Sequence, residues 1–444
     1  MKKFIFVALV FLGVFVLSEA NDKLLLVQAV WRHGDRSPTT TFPSDPNPVT
    51  AWPQGWGQLT PLGMRQHIDL GNKLRKRYIE NTDASYNIIP NRYKSEKIYV
   101  RSTDVNRTLI SAMSNMIAMF PGGAGDFPAI DQWPKDKNGN GWVPIPIHTI
   151  KDDIDYTLNP DMDCQRQTEL WDLVTKGPEY TKMQKDQVHL FDFLTKNTNA
   201  PTNDPVTPTN LWIIADALFI EKSNNKTLPT WANQKWENGT KTIYQVINET
   251  NEIVEYWNNG LNLAPQNNTD FSIEIPKIRG GSLLWSIIGH MEQKLYCLKN
   301  SGDPHCGFFN DLAYYAYSAH DTTLAALFST LGFHMTNWNQ DGYPHYSSCV
   351  TVELWQKPDN STYVKFMYFP LNENMVEVTQ SITKCGTPCT LENLAKRSEP
   401  YKPIPDARTL CTTSINKPSN TKASSEVPRI SGFIILIFVF LFKN

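Results

Sequence analysis

The 444-residue sequence predicts an α/β fold with an inserted helical cap, and three observations carry that expectation. Strand-like apolar runs fall in two blocks, about 21–150 and 275–410, separated by a stretch whose patterns are helical. Three of those runs end on polar residues and pass directly into helical patterns, the arrangement of strand followed by helix that builds an α/β sheet. The intervening segment, 151–274, holds helical patterns such as Gln167 to Lys176 and Tyr244 to Asn258, with a loop at Pro201 to Pro208. An apolar content of 41% with 19% charged residues is ordinary for a folded protein, and a formal net charge of −2 gives no nucleic-acid footprint.

The first run, Leu24 to Val30, leads into Arg32-His33-Gly34-Asp35-Arg36-Ser37-Pro38. In α/β sheets ligands bind just beyond the carboxyl ends of strands. Two guanidinium forks flanking an imidazole describe a phosphate pocket with a nucleophile aimed at phosphorus. Gly34 would let a phosphate approach the main chain and permit backbone angles that other residues avoid, and Pro38 would stiffen the exit. Taken alone, the segment also reads as a solvated basic turn with a surface histidine.

The second run, Lys97 to Val100, places Arg101 at a strand-to-helix turn before a helix carrying Leu109, Ala112, Met113, Met116 and Ile117. Ser102 or Thr103 would cap that helix, whose free N–H groups also favour an anion. An ordinary arginine in a cap region is the simpler reading of this segment alone. The third run, Leu312 to Tyr317, ends in Ser318-Ala319-His320-Asp321-Thr322-Thr323 before the apolar stretch Leu324 to Phe328. His320 can donate to a phosphate oxygen and Asp321 can protonate a leaving alkoxide, although Asp321 or Thr322 would equally serve as an N-cap.

In combination the R-H-G-D-R-S-P, R-S-T-D-x-x-R-T and S-A-H-D-T-T segments resemble the histidine acid phosphatases, the branch of the histidine phosphatase superfamily that includes the lysosomal and prostatic enzymes. The likeness runs from about Leu24 to about Cys411. It implies a three-layer α/β/α sandwich, phosphoglycerate mutase-like, with the cap overhanging the active site. It implies His33 as the nucleophile that becomes a phosphohistidine and Asp321 as the proton donor. Arg32, Arg36, Arg101 and His320 are the implied phosphate-binding set, the substrate is a phosphate monoester, and no cofactor is expected. Asp321 must be protonated to donate while His33 must keep one nitrogen unprotonated to attack, so activity at acidic pH is expected.

Other phosphatase chemistries fit less well. No cysteine opens a C-x5-R loop, and the nine histidines are scattered rather than spaced as metal ligands. Asp153-Ile154-Asp155-Tyr156-Thr157 echoes a D-x-D-x-T nucleophile loop, but Pro144, Pro146 and Lys151 interrupt the strand it would need, so it reads as a loop or helix start. A phytase-like member would place lysines or arginines near the active loops, and Thr39 to Trp52 contains none. An inactive homologue serving as a surface binding protein would have lost His33 or Asp321, and both are present. Trp52, Trp56, Trp231 and Trp236 read as packing of long loops.

The termini point to the secretory pathway. Lys2 and Lys3 lead an apolar run from Phe4 to Leu17, and Ser18-Glu19-Ala20 offers a cleavage site, so 1–20 reads as a signal peptide. Glycosylation is expected at Asn225, Asn238, Asn248, Asn267 and Asn360, while Asn106 lies close behind Arg101 in an expected packed helix. After a polar linker, 411–429, the segment 430–444 carries an apolar run from Phe433 to Phe442. That run is short of the roughly 20 residues a spanning helix needs and reads as a GPI signal, with a short single-pass anchor as the alternative. Either reading puts the catalytic domain on the extracellular or lumenal side of a membrane. The family often forms dimers, so a homodimer is an expectation of the resemblance alone.

In an oxidising compartment most of the seven cysteines should pair. The resemblance implies Cys164 with Cys411 and Cys385 with Cys389, and a bridge to Cys349. The usual partner of Cys349, in the middle of the helical region, is absent. Either Cys297 or Cys306 has taken that role, or those two pair and Cys349 stays free.

Overall fold

The structure, a computed structural model, describes residues 21–121, 144–237, 239–333 and 343–415. Segments 1–20 and 430–444, expected from the sequence as a signal peptide and a C-terminal anchor signal, lie outside them. Among the described residues no helix is long and apolar enough to cross a membrane.

β1 (Lys23–Arg32) lies in the middle of a seven-stranded sheet ordered β3-β2-β4-β1-β5-β6-β7. The other strands are β2 (Ile98–Thr103), β3 (His148–Ile150), β4 (Tyr314–Ala319), β5 (Cys349–Gln356), β6 (Thr362–Phe369) and β7 (Val376–Glu377). β3, β2, β4 and β1 run parallel, and β5 to β7 complete the sheet antiparallel. The near-continuous apolar sequence of β1 follows from burial on both faces. Val27, Ala29 and Trp31 pack toward α1 (Pro61–Tyr78) and α2 (Asn106–Met119), while Leu26 and Val30 pack with Leu284, Ile287 and Leu327 on the other side. The result is three layers, as expected.

Between β3 and β4 the chain forms the helical cap. Its helices are α3 (Gln165–Lys176), α4 (Pro178–Asp186), α5 (Val188–Asn197), α6 (Leu211–Ser223), α7 (Ile243–Asn258) and α8 (Phe271–Arg279). They share an apolar core of their own, in which Trp231 is buried and Trp236 packs at the edge. Phe42, from the loop after β1, inserts into this cap core, so the residues following the R-H-G motif join cap to sheet. α9 (Gly281–Lys299), α10 (Gly307–Asp311) and α11 (Asp321–Leu331) then lead through the remaining core.

Two sequence expectations are corrected here. Ser102 and Thr103 do not cap a helix: they are the last residues of β2, and α2 begins at Asn106 behind Val105. Cys349 is not bridged. Disulfides join Cys164 to Cys411, Cys297 to Cys306 and Cys385 to Cys389, with Cα separations of 4.8, 5.3 and 4.9 Å. Cys349 is a buried free thiol opposite Trp31 on β1 and Phe369 on β6, packed on the α1 and α2 side of the sheet. Cys297 lies on α9, which covers the opposite side, so the sheet separates the two. Among the asparagines expected to be glycosylated, Asn225, Asn267 and Asn360 are exposed, Asn248 is half-buried on α7, and Asn238 lies outside the described residues. Asn106 is exposed at the start of α2 rather than packed.

Candidate active site

The carboxyl ends of β1, β2 and β4 converge on one polar cluster. Its anchor is the main chain of His33, whose N–H donates to Ala319 O at 2.9 Å and whose carbonyl accepts from Ser347 N–H at 3.1 Å. Gly34 serves packing rather than unusual backbone angles. A Cβ built on it would lie 2.3 Å from Gly63 O on α1, and one on Gly63 would lie 2.2 Å from Asp35 O. The two glycines therefore let the motif loop press against the helix.

His33 is fully buried, and its Nδ1 lies 2.8 Å from Gly34 O. A carbonyl can only accept, so Nδ1 carries the proton and Nε2 keeps its lone pair. Burial, reinforced by the charges of Arg107, Arg32 and Arg36, holds the His33 pKa well below the ordinary imidazole value. His320 is N-cap of α11, and its ring stands edge-on to His33 with 5.6 Å between centroids. Arg107 Nη2 donates to its Nδ1 at 3.4 Å, leaving Nε2–H to donate to Thr103 Oγ1 at 3.0 Å. Burial, with Arg107 nearby, lowers the His320 pKa to about 3.

The cations around these rings are held by specific partners. Arg32 donates from Nη1 to Pro344 O at 2.7 Å and from Nη2 to Asp321 at 2.8 Å, with its guanidinium 4.1 Å from the Tyr346 ring centre. Arg36 makes a two-pronged pair with Asp216 of α6, at 2.9 and 3.0 Å. Asp321 opens α11 and accepts the Thr322 N–H at 2.9 Å. Burial pushes its pKa up, but Arg32, Arg36 and His320 outweigh that and hold the carboxyl below the usual range. A phosphate anion bound among these arginines would push it back up.

Arg101 is corrected. Its guanidinium pairs with Asp155, which is fully buried and also accepts the N–H groups of Thr157 and Leu158 at 3.1 and 3.0 Å. Register gives the reason. Arg32 is level with Ala319 on β4, whereas Arg101 is level with Tyr317, two residues or roughly 7 Å deeper in the sheet. The arginine that reaches the cluster is Arg107, from the first turn of α2. Among the described residues it has no carboxylate in ion-pair contact, and burial together with Arg36 lowers its pKa to about 10. The D-x-D-x-T echo thus supplies Asp155 to a structural ion pair, in a 3-10 turn and loop following β3.

Among the described residues no group of side chains could hold a metal ion. The likeness to known proteins agrees with the cluster. A profile of the histidine phosphatase superfamily (branch 2) matches residues 23–369. The chain belongs to that family. The phosphatase is 32% identical to human prostatic acid phosphatase over 91% of this chain and 92% of that one. It is 31% identical to Xenopus laevis lysosomal acid phosphatase over 95% and 86%. Among solved structures, Hafnia alvei phytase in complex with myo-inositol hexakis sulphate superimposes with a TM-score of 0.60 at 16% identity, covering 89% of this chain and 99% of that one, a likeness of fold. The phosphatase is accordingly an acid phosphatase of three-layer α/β architecture with a helical cap.

Sequence reasoning passed over several residues of the cluster. Arg107 was visible as the second arginine of R-S-T-D-x-x-R-T. Tyr346 and Asp216 carried no local signal, because they arrive from a loop and from the cap.

Buried titratable groups make the phosphatase's stability depend on pH. Burial lowers the pKa of His67 to about 3 and of His290 to about 4, alongside His33 and His320, and raises Glu221 and Glu255 to about 8. Unfolded histidines bind protons below 6.5 while the folded ones do not, so stability falls as pH drops beneath 6.5. Unfolded glutamates lose protons above 4.5 while the folded ones keep theirs, so stability also falls as pH rises toward 8. Between 4.5 and 6.5 the three histidines depressed to about 3 or 4 outnumber the two glutamates. Melting temperature is therefore expected to peak near pH 6.5, and a steady rise to pH 9 would contradict this balance.

Proposed function

We propose that the phosphatase cleaves phosphate monoesters in two displacements. His33 Nε2 attacks phosphorus, the P–O bond to the alcohol breaks, and Asp321 delivers its proton to the departing oxygen. Water then attacks the phosphohistidine, the N–P bond breaks, and Asp321 takes the proton back as orthophosphate leaves. Arg32, Arg36 and Arg107 hold the phosphoryl oxygens and offset charge as it builds, and His320 joins them by turning its Nε2–H from Thr103 to a phosphoryl oxygen.

The observation that carries this reading is the Nδ1–H bond of His33 to Gly34 O, which aims the free Nε2 lone pair into the arginine cluster. The depressed His33 pKa keeps that lone pair available in acid. Asp321 needs its proton to donate, so turnover falls as pH rises. Hydrolysis of an aryl phosphate from about pH 3 to 9 is expected to peak in acid, and a maximum at alkaline pH would refute the assignment.

The segment 151–274 is read as a cap over the phosphate pocket. The signal segment, the glycosylation sites and the C-terminal apolar run support a secreted, glycosylated enzyme held at a membrane on its extracellular or lumenal side. A homodimer remains part of this reading through the family alone. The phytase-like alternative is weaker, because its structural neighbours share the fold at low identity and the loop after Pro38 lacks cationic side chains.

A further inference from the structure

We propose that Asp216, on the cap helix α6, tunes the phosphate pocket toward the singly charged form of a phosphoryl group. The inference rests on the phosphate-binding role given above to Arg36. The Asp216 carboxylate occupies both Nη atoms of Arg36, at 2.9 and 3.0 Å, with side-chain exposures of 9% for Arg36 and 18% for Asp216. The carboxylate thus takes the end-on side of the fork, and an entering phosphoryl group must either share those Nη donors or use the remaining Nε side, in both cases beside a fixed negative charge.

Asp216 belongs to the cap, not to the sheet that carries the rest of the cluster. A second contact fixes the same helix at its C-terminal end, where Asn224 Nδ2 donates to Asp35 Oδ1 at 3.1 Å. Asp35 is turned to Asn224 and Thr60, away from Arg36's fork. The charged and titratable groups facing Asp216 are Arg36 from the loop after β1, Arg107 from α2, and Tyr346 from the loop before β5. Its own helix neighbour Lys222 is directed elsewhere, over the Tyr244 ring at 4.5 Å.

Coulomb repulsion scales with charge, so a fixed carboxylate opposes a dianion about twice as strongly as a monoanion at the same position. A phosphoryl ester has its second ionisation near pH 6, so the monoanion is the acid form. Asp216 thereby adds to the acid preference from the binding side, independently of the protonation of Asp321.

Sulfate provides the test because it stays doubly charged across the working range. Its binding at pH 5 is measured by calorimetry for the wild type, Asp216→Asn, Asp216→Ser and Asp216→Glu, with circular dichroism to check folding. The neutral variants are expected to bind sulfate about tenfold more tightly, with Asp216→Glu close to wild type. The alkaline limb of kcat/KM for an aryl phosphate is expected to move to higher pH in the neutral variants alone. Sulfate bound no more tightly, or more weakly, by folded Asp216→Asn or Asp216→Ser would overturn the inference and leave Asp216 as a support for Arg36. Binding needs no turnover, so a wild type that binds sulfate but hydrolyses nothing would defeat the hydrolase reading without touching this one.

Discussion

Alanine in place of His33 is expected to lower kcat on an aryl phosphate at acidic pH by a factor on the order of 10⁴ to 10⁶. The reason is chemical. Without the imidazole no covalent intermediate can form, and the remaining groups can only bind and polarise the ester. The fold should persist, because the main-chain bonds of His33 to Ala319 and Ser347 do not involve the ring. The side chain contributes one hydrogen bond, to its own neighbour Gly34. Two measurements check the result: steady-state turnover, and acid-labile phosphate trapped on the protein after rapid quenching. A variant with activity within tenfold of wild type, or one that still accumulates phosphoenzyme, would show that another residue is the nucleophile.

The second large effect separates two arginines of one sequence motif. Arg107→Ala is expected to reduce kcat/KM by about 10³ or more, the scale on which an arginine that meets phosphoryl charge contributes. It lies beside His320, and no carboxylate among the described residues pairs with it, so its charge is free to meet the substrate. Arg101→Ala should behave in the opposite way. It would strand the fully buried Asp155, and breaking such a pair costs about 3–5 kcal/mol. In a domain of roughly 400 residues that lowers the melting temperature by about 4–6 °C. Turnover per folded molecule should change little. Thermal unfolding and active-site titration of both variants decide the matter. A thermally normal but inactive Arg101→Ala, beside an active Arg107→Ala, would reverse the assignment.

These two arginines also show how far a linear motif can be read. The residue types of R-S-T-D-x-x-R-T identify a phosphate-binding segment, and both arginines have the right chemistry. Which one reaches the ligand depends on sheet register and on where the following helix starts. Arg101 is level with Tyr317 and below the rim, whereas the first turn of α2 lifts Arg107 to the level of His320. Gly34 makes the same point: its sequence context suggested access for a phosphate, but its packing partner is Gly63, a residue 29 positions away.

The sequence by itself determined what depends on local order. Apolar runs ending in R-H-G-D-R and S-A-H-D-T-T set the strands, the helix that starts at Asp321, the nucleophile and acid candidates, and the family. Only the tertiary structure decided what depends on residues distant in the chain. It paired Cys297 with Cys306 and left Cys349 free, because the sheet lies between them. It committed Arg101 to Asp155 and brought Asp216 across from the cap to Arg36, 180 residues away. Those outcomes are set by register and by the docking of one layer on another, and neither leaves a periodic mark in the sequence.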